Sequence, residues 1–271
     1  MNVRIGLAQH RIGPDMEENL RQAQRAVLAC AGQGAQLVLL PEMFCCLYQL
    51  ERLRACAQPR GGEIWKHLRV LACQAGVYLL GGSMPELDAQ GRIYNTSFFF
   101  SPAGEELACY RKCHLFDVSL PGGLCIQESS VFTPGEQLRV VESPFGKIGL
   151  AICFDLRFPE QFRALADRGA QLVLVPAAFN STTGPAHWEI NCRSRALDNQ
   201  VFLCACAPAA APDGPYPYYG HSMAVDPWGR ILTELTGEAC ERVVTLDLDE
   251  TARIRAQLPL LQSRRPELYR Q

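Results

Sequence analysis

No stretch of this sequence approaches the roughly 18 consecutive apolar residues of a membrane span, which argues against a helical membrane protein. The opening MNVRIGLAQH enters a strand pattern without the apolar core of a secretion signal, so the expected location is the cytoplasm. Charge of neither sign is in excess. Lys and Arg number 26 against 28 Asp and Glu, a net charge of −2, with a pI near 6.2. The basic footprint of a nucleic-acid binder is therefore missing. No Ser/Gly linker, low-complexity tract or shift of composition divides the chain, and residues 1–271 are expected to form a single domain. Phosphate-loop and zinc spacings are also lacking. Gly81-Gly82 and Gly122-Gly123 are not followed by the lysine and helix of a phosphate cradle. Cys204 and Cys206 lie two apart in a strand pattern with no second Cys/His pair at zinc-type spacing, the expectation for core packing. His67, on a helical pattern, is expected at the surface.

What is abundant is cysteine, 13 residues. An odd number in a chain expected in the cytoplasm reads as reduced thiols. The chain also repeats itself. Gly34 to Phe44 reads GAQLVLLPEMF and Gly169 to Phe179 reads GAQLVLVPAAF, while IGLA occurs at Ile5–Ala8 and again at Ile148–Ala151. Each half is thus a strand, a helix and a second strand, a layered α/β unit present twice. The repeat sets Cys153 opposite His10 and Glu42 opposite Ala177, so each half carries one polar group that its counterpart lacks. A single asymmetric site shared by the halves is the simplest consequence. Further strands are expected at 77–82, 94–100, 147–152, 201–207, 221–225 and 242–248, and helices at 16–31, 63–75, 160–168 and 185–199. The expected architecture is a four-layer α-β-β-α sandwich of two internally repeated halves.

Three polar groups fall at the ends of strand-like runs: Glu42 after LVLLP, Lys112 after the run ending at Tyr110, and Cys153 after KIGLAI. The carboxyl ends of strands in open α/β sheets are where ligands bind. A thiol attacks as thiolate and needs a neighbouring base or cation. A glutamate in an apolar pocket can take the thiol proton and return it to a leaving amine, and a lysine can hold an oxyanion. Each also has a plainer alternative: Glu42 a turn cap, Lys112 a solvated lysine, Cys153 a packed thiol.

Three segments carry a resemblance: LVLLPEMF with Glu42, YRKCHLFD with Lys112 and GLAICFDLRFPE with Cys153. Together they resemble the nitrilase, or carbon-nitrogen hydrolase, superfamily over essentially the whole chain. The resemblance implies the α-β-β-α sandwich, Glu42 as general base, Lys112 as stabiliser of the tetrahedral intermediate, Cys153 as nucleophile, and no metal or organic cofactor. It sets Glu128, in IQESSVFTPG, where the family has a second glutamate orienting the lysine; a loop carboxylate is the alternative. HLFDVSLPGG, IQES, AFNSTTGPAHWE and RSRALDNQVF resemble the omega-amidase branch, which hydrolyses short dicarboxylate monoamides such as 2-oxoglutaramate and 2-oxosuccinamate. The implied partners are a small amide and water, with a homodimer as the assembly. The Phe154 amide could complete an oxyanion hole. Arg157 is the candidate for the distal carboxylate, because guanidinium binds carboxylate bidentately; pairing with Asp155 or Glu160 is its alternative. Tyr48 and Thr183 are further substrate-side candidates, and His114 is expected to orient its loop. Cys45-Cys46 departs from the family pattern beside the expected substrate entrance. An amidase of deaminated glutathione, an amidase or carbamoylase for a larger substrate, and a thiol redox or metal-binding protein remain as rivals.

Overall fold

The computed structural model describes residues 1–119, 125–214 and 216–269. Gly122-Gly123 lies outside them. Seven strands form the first sheet: β1 (Asn2–Gln9), β2 (Leu37–Leu39), β3 (Tyr78–Leu80), β4 (Met84–Leu87), β5 (Ile93–Phe100), β6 (Glu106–Arg111) and β15 (Cys240–Asp247). Their order is β15-β1-β2-β3-β5-β4, with β6 also on β5. The second sheet holds β9 (Arg139–Ser143), β10 (Gly146–Leu150), β11 (Leu172–Pro176), β12 (Phe202–Cys206), β13 (Met223–Val225) and β14 (Ile231–Glu234), in the order β14-β13-β12-β11-β10-β9. A small ribbon pairs β7 (Asp117–Ser119) with β8 (Cys125–Gln127). The helices are α1 (Met16–Gly32), α2 (Leu50–Ala55), α3 (Glu63–Ala75), α4 (Pro159–Asp167), α5 (Gly184–Asn199) and α6 (Asp249–Gln257).

The sequence repeat is a repeat of pairing. Parallel β1-β2-β3 in one sheet corresponds to parallel β10-β11-β12 in the other. In each, an antiparallel strand flanks the first member, β15 or β9, and another flanks the last, β5 or β13. The two IGLA glycines show how the layers stack. A Cβ on Gly6 would lie 2.7 Å from Cys30 Cβ in α1, and one on Gly149 would lie 3.2 Å from Leu165 Cδ1 in α4. Each glycine therefore faces a covering helix and lets it approach its sheet. The alternate residues Ile5 and Leu7, and Ile148 and Leu150, point the other way, as the period of two requires. With Leu37, Leu39, Leu172 and Leu174 they form one buried core between the sheets. A second core lies under α1 and α3, where Ala23, Val27, Ile64 and Leu68 meet Val38 and Leu79.

Expected element positions agree to within a residue or two, and one of the offsets has a clear physical cause. The strand expected from His221 begins at Met223, because His221 adopts φ +62° and cannot continue a strand. His67 is a correction. It is half-buried, with Nε2 enclosed and without a hydrogen-bond partner, and burial lowers its pKa. The helical pattern alone did not register that α3 packs this side toward α1. Among the described residues, no helix is long and apolar enough to cross a membrane.

Candidate active site

Each chemical group stands where a strand gives way to irregular backbone. Glu42 follows β2 in a turn held against the loop after β3. Gly82, at φ +58°, makes that contact possible, since a Cβ there would sit 2.1 Å from the Pro41 carbonyl oxygen. The Glu42 N–H donates to the Ala177 carbonyl at 3.4 Å, so the two positions matched by the repeat touch across the halves. Lys112 follows β6, and its N–H donates to the Asn95 carbonyl at 2.9 Å. Cys153 opens a short 3-10 helix, Cys153–Arg157, just past β10, and takes φ +44°. A non-glycine residue in that region is strained and is held there by its surroundings. Glu128 begins another 3-10 turn after β8.

These four residues converge in the interior, with Glu42, Lys112 and Glu128 at most 1% exposed. Lys112 Nζ lies 2.9 Å from Glu42 Oε1 and 3.1 and 2.9 Å from the two oxygens of Glu128. Among the described residues Glu42 Oε2 has no well-formed hydrogen bond, and the Glu42 carboxylate faces the Cys153 thiol. The plainer alternatives of turn cap, solvated lysine and loop carboxylate do not describe these positions. Burial first, and then the Glu42 charge, raise the Cys153 thiol well above its usual range, so the resting group is a thiol beside a base. Burial also raises Glu42; Lys112 opposes that rise and Glu128 adds to it. For Lys112 burial works against the charge, but Glu128 and Glu42 outweigh it and hold the ammonium protonated. The Ala178 N–H donates to Cys153 Sγ at 3.5 Å.

Cys153 opens onto a narrow pocket whose free volume is about 10 Å³, roughly the space of one water. Tyr48, Phe154, Arg157 and Thr183, all expected on the substrate side, line it, together with Phe116, Phe179, Asn180 and Tyr216. Arg157 pairs with neither Asp155 nor Glu160. Its Nη1 lies 3.2 Å from His187 Nδ1, and its guanidinium lies over the rings of Phe179 and Phe154 at 5.2 and 5.7 Å. Among the described residues it has no carboxylate partner. Phe154 is second in its 3-10 helix, where an amide has no intrahelical acceptor. Cys45 and Cys46 are buried but do not line this pocket, contrary to their expected place at the entrance. Cys204 and Cys206 are buried in β12.

Two positioning groups escaped the sequence reading. Asn95, inside the apolar run of β5, donates through Nδ2 to Glu42 Oε1 at 2.8 Å and Glu128 Oε1 at 3.2 Å, tying the carboxylates together. Asp155 is fully buried and accepts from the Ile152 N–H at 2.9 Å, the Tyr110 hydroxyl at 2.6 Å and the His114 N–H at 3.1 Å. It fastens the turn of Cys153 to the loop of Lys112. His114 adds a ring contact to Asp155 at 2.7 Å and stacks on Phe158, consistent with orienting its loop. No spacing rule connects residues this far apart in sequence.

A thiol, a carboxylate base facing it and a fixed ammonium can together carry out acyl transfer from a carbonyl to sulfur and then to water. The duplicated α/β scaffold thus brings together the groups that a thiol-dependent hydrolase would require. Residues 4–256 match the carbon-nitrogen hydrolase family, and the chain belongs to it. It is 42% identical over 266 residues to omega-amidase NIT2 of Mus musculus, covering 98% of this chain and 96% of that protein. The crystal structure of Saccharomyces cerevisiae Nit3, a member of branch 10 of the nitrilase superfamily, superposes with a TM-score of 0.89 at 34% identity, covering 97% of each chain. An amidase from Nesterenkonia sp. AN1, whose structure carries acrylamide added at its active-site cysteine, has a TM-score of 0.81 at 32% identity and covers 98% of both chains.

Proposed function

We propose that this protein is an amidase that hydrolyses the terminal amide of short dicarboxylate monoamides, 2-oxoglutaramate and 2-oxosuccinamate, to acid and ammonia. The observation that carries the substrate reading is the Arg157 guanidinium, which lines the pocket among Phe154, Phe179, Asn180 and Thr183 without a carboxylate partner among the described residues. Such a group favours a substrate that brings its own carboxylate. The likeness to omega-amidases favours a short one over a peptide-like amide.

In this mechanism Cys153 Sγ attacks the amide carbonyl carbon while its proton passes to Glu42. Lys112 Nζ and the Phe154 N–H stabilise the oxyanion. The intermediate collapses as Glu42 gives the proton to the departing ammonia, leaving a thioester on Cys153. Water, deprotonated by Glu42, attacks the thioester, and the acid leaves as sulfur recovers its proton. Glu128 holds Lys112 in place, while Arg157, Tyr48 and Thr183 bind the substrate.

Ammonia release from 2-oxoglutaramate tests the reading. Wild type is expected to turn it over with saturation, and Arg157→Gln to raise KM by about 10²-fold with a smaller change in kcat. Release from peptide-like amides alone would reject the substrate class.

The chain is read as one hydrolase domain over residues 1–271, acting in the cytoplasm, where 13 unpaired cysteines suit a reducing medium. We assign the face of α5 to a second copy. There the exposed apolar side chains Ile190, 62% exposed, Leu197 and Trp228 line a groove together with the charged Glu189 and Arg193, a mixed surface of the kind that interfaces cover. Sedimentation is expected to give a dimer that Ile190→Glu with Trp228→Glu converts to monomer; a wild-type monomer at micromolar concentration would remove this assignment.

A further inference from the structure

Asn180 follows Phe179 in the loop between β11 and α5, is 1% exposed and lines the pocket at Cys153. Its carbonyl Oδ1 accepts from the Thr182 N–H at 3.0 Å, the Thr183 N–H at 2.9 Å and the Thr183 hydroxyl at 3.3 Å. These three donors fix the orientation of the side-chain amide, because the flipped form would turn an NH₂ group against two backbone N–H groups. The backbone is fixed as well, by a bridge to Tyr218 and by the Gly184 N–H, which donates to the Asn180 carbonyl at 2.7 Å. Among the described residues Nδ2 is buried without a well-formed hydrogen bond, and the acceptor it faces is the Tyr216 hydroxyl oxygen. The neighbouring Tyr216 hydroxyl gives its own proton to the Ala178 carbonyl at 2.8 Å.

A buried donor without a well-formed hydrogen bond is destabilising, and natural structures avoid one unless something else supplies the acceptor. Holding the turn of Thr182 and Thr183 ahead of α5 explains Oδ1 and does not explain Nδ2. A serine or aspartate would hold that turn as well without burying such a donor. The group that enters this pocket is the substrate, and the one lining side chain with a formal positive charge is Arg157.

We infer that Asn180 is a specificity-determining residue, its Nδ2 donating to an oxygen at the substrate's carboxylate end alongside Arg157. The inference rests on the proposed substrate class and adds a second, neutral donor whose direction is set by the loop that starts α5. It also favours an anionic acceptor over an ammonium or amide NH₂ at that end, since Nδ2 can only donate.

Asn180→Asp separates this role from holding the turn. Aspartate keeps the oxygen that Thr182 and Thr183 require and replaces the donor with a second acceptor bearing charge. The expected result is a KM for 2-oxoglutaramate raised about 30-fold or more with kcat little changed. Affinity for the product 2-oxoglutarate, followed by titration calorimetry, should weaken in parallel, and butanamide, which has no carboxylate, should lose far less in kcat/KM. Unfolding in urea should match wild type. If Asn180→Asp equals wild type in KM and product affinity while Arg157→Gln is impaired in both, Asn180 only holds the turn and this inference falls alone. If Asn180→Asp and Asn180→Ala lower activity on 2-oxoglutaramate and butanamide equally, the role is structural. If wild type neither turns over 2-oxoglutaramate nor binds 2-oxoglutarate, the substrate reading falls and takes this inference with it.

Discussion

Lys112→Met is expected to lose amidase activity by at least about 10³-fold and also to lose about 3–5 kcal/mol of stability. The two losses have different origins. Activity falls because the developing oxyanion loses its ammonium. Stability falls because Glu42 and Glu128, both fully buried and bridged by Asn95, lose the cation they share. Adding Glu128→Gln should restore most of the stability and none of the activity, since it removes one buried charge but supplies no oxyanion donor. The deficit of the single variant should also grow with pH. Without Lys112 the folded state holds a carboxylate proton that the unfolded chain releases at lower pH, so rising pH favours unfolding. In wild type, burial followed by the Glu128 charge raises Glu42 while Lys112 restrains the rise, so the acid limb of kcat/KM should lie above the ordinary carboxylate range. Urea unfolding and ammonia release at several pH values measure all of this. A Lys112→Met protein as stable as wild type, or a double variant with recovered activity, would contradict it.

Cys153→Ala is expected to abolish hydrolysis, by about 10⁴-fold or more, and Glu42→Gln to cost about 10³-fold. Because the thiol is held protonated by burial and by the Glu42 charge, it cannot attack without handing its proton to that carboxylate. The residues act as a unit, so the double variant should be no slower than Cys153→Ala alone. Circular dichroism and thermal unfolding of Cys153→Ala should resemble wild type, as only a sulfur is removed from a pocket wall. Multiplicative losses in the double variant, or activity retained by Cys153→Ala, would place the nucleophile elsewhere.

Much of this was legible in the sequence, because the repeat exposed it. Two copies of IGLA and two of GAQLVL(L/V)P fix two parallel strand sets, and the residues that break the symmetry, Glu42 and Cys153, are brought together in the buried interior. Lys112, outside the repeat, was legible only as a polar group ending a strand-like run, and Glu128 needed the family resemblance. Asn95, Asp155 and Asn180 were missed for a common physical reason. Each is a polar side chain whose meaning comes from partners distant in sequence or from an atom left without a well-formed hydrogen bond, and local periodicity carries neither. His67 failed because amphipathic spacing gives the direction of a helix face but not how far a neighbouring helix closes over its edge.

The most direct test is to mix wild-type protein with 2-oxoglutaramate, quench in acid within the first turnover, and measure the intact and peptide masses. The account predicts a species heavier by the substrate less one ammonia, carried on the Cys153 peptide, acid-stable and cleaved by hydroxylamine as a thioester is. Ammonia released in that first turnover with no covalent adduct on any cysteine, or with the adduct on another thiol, would contradict it.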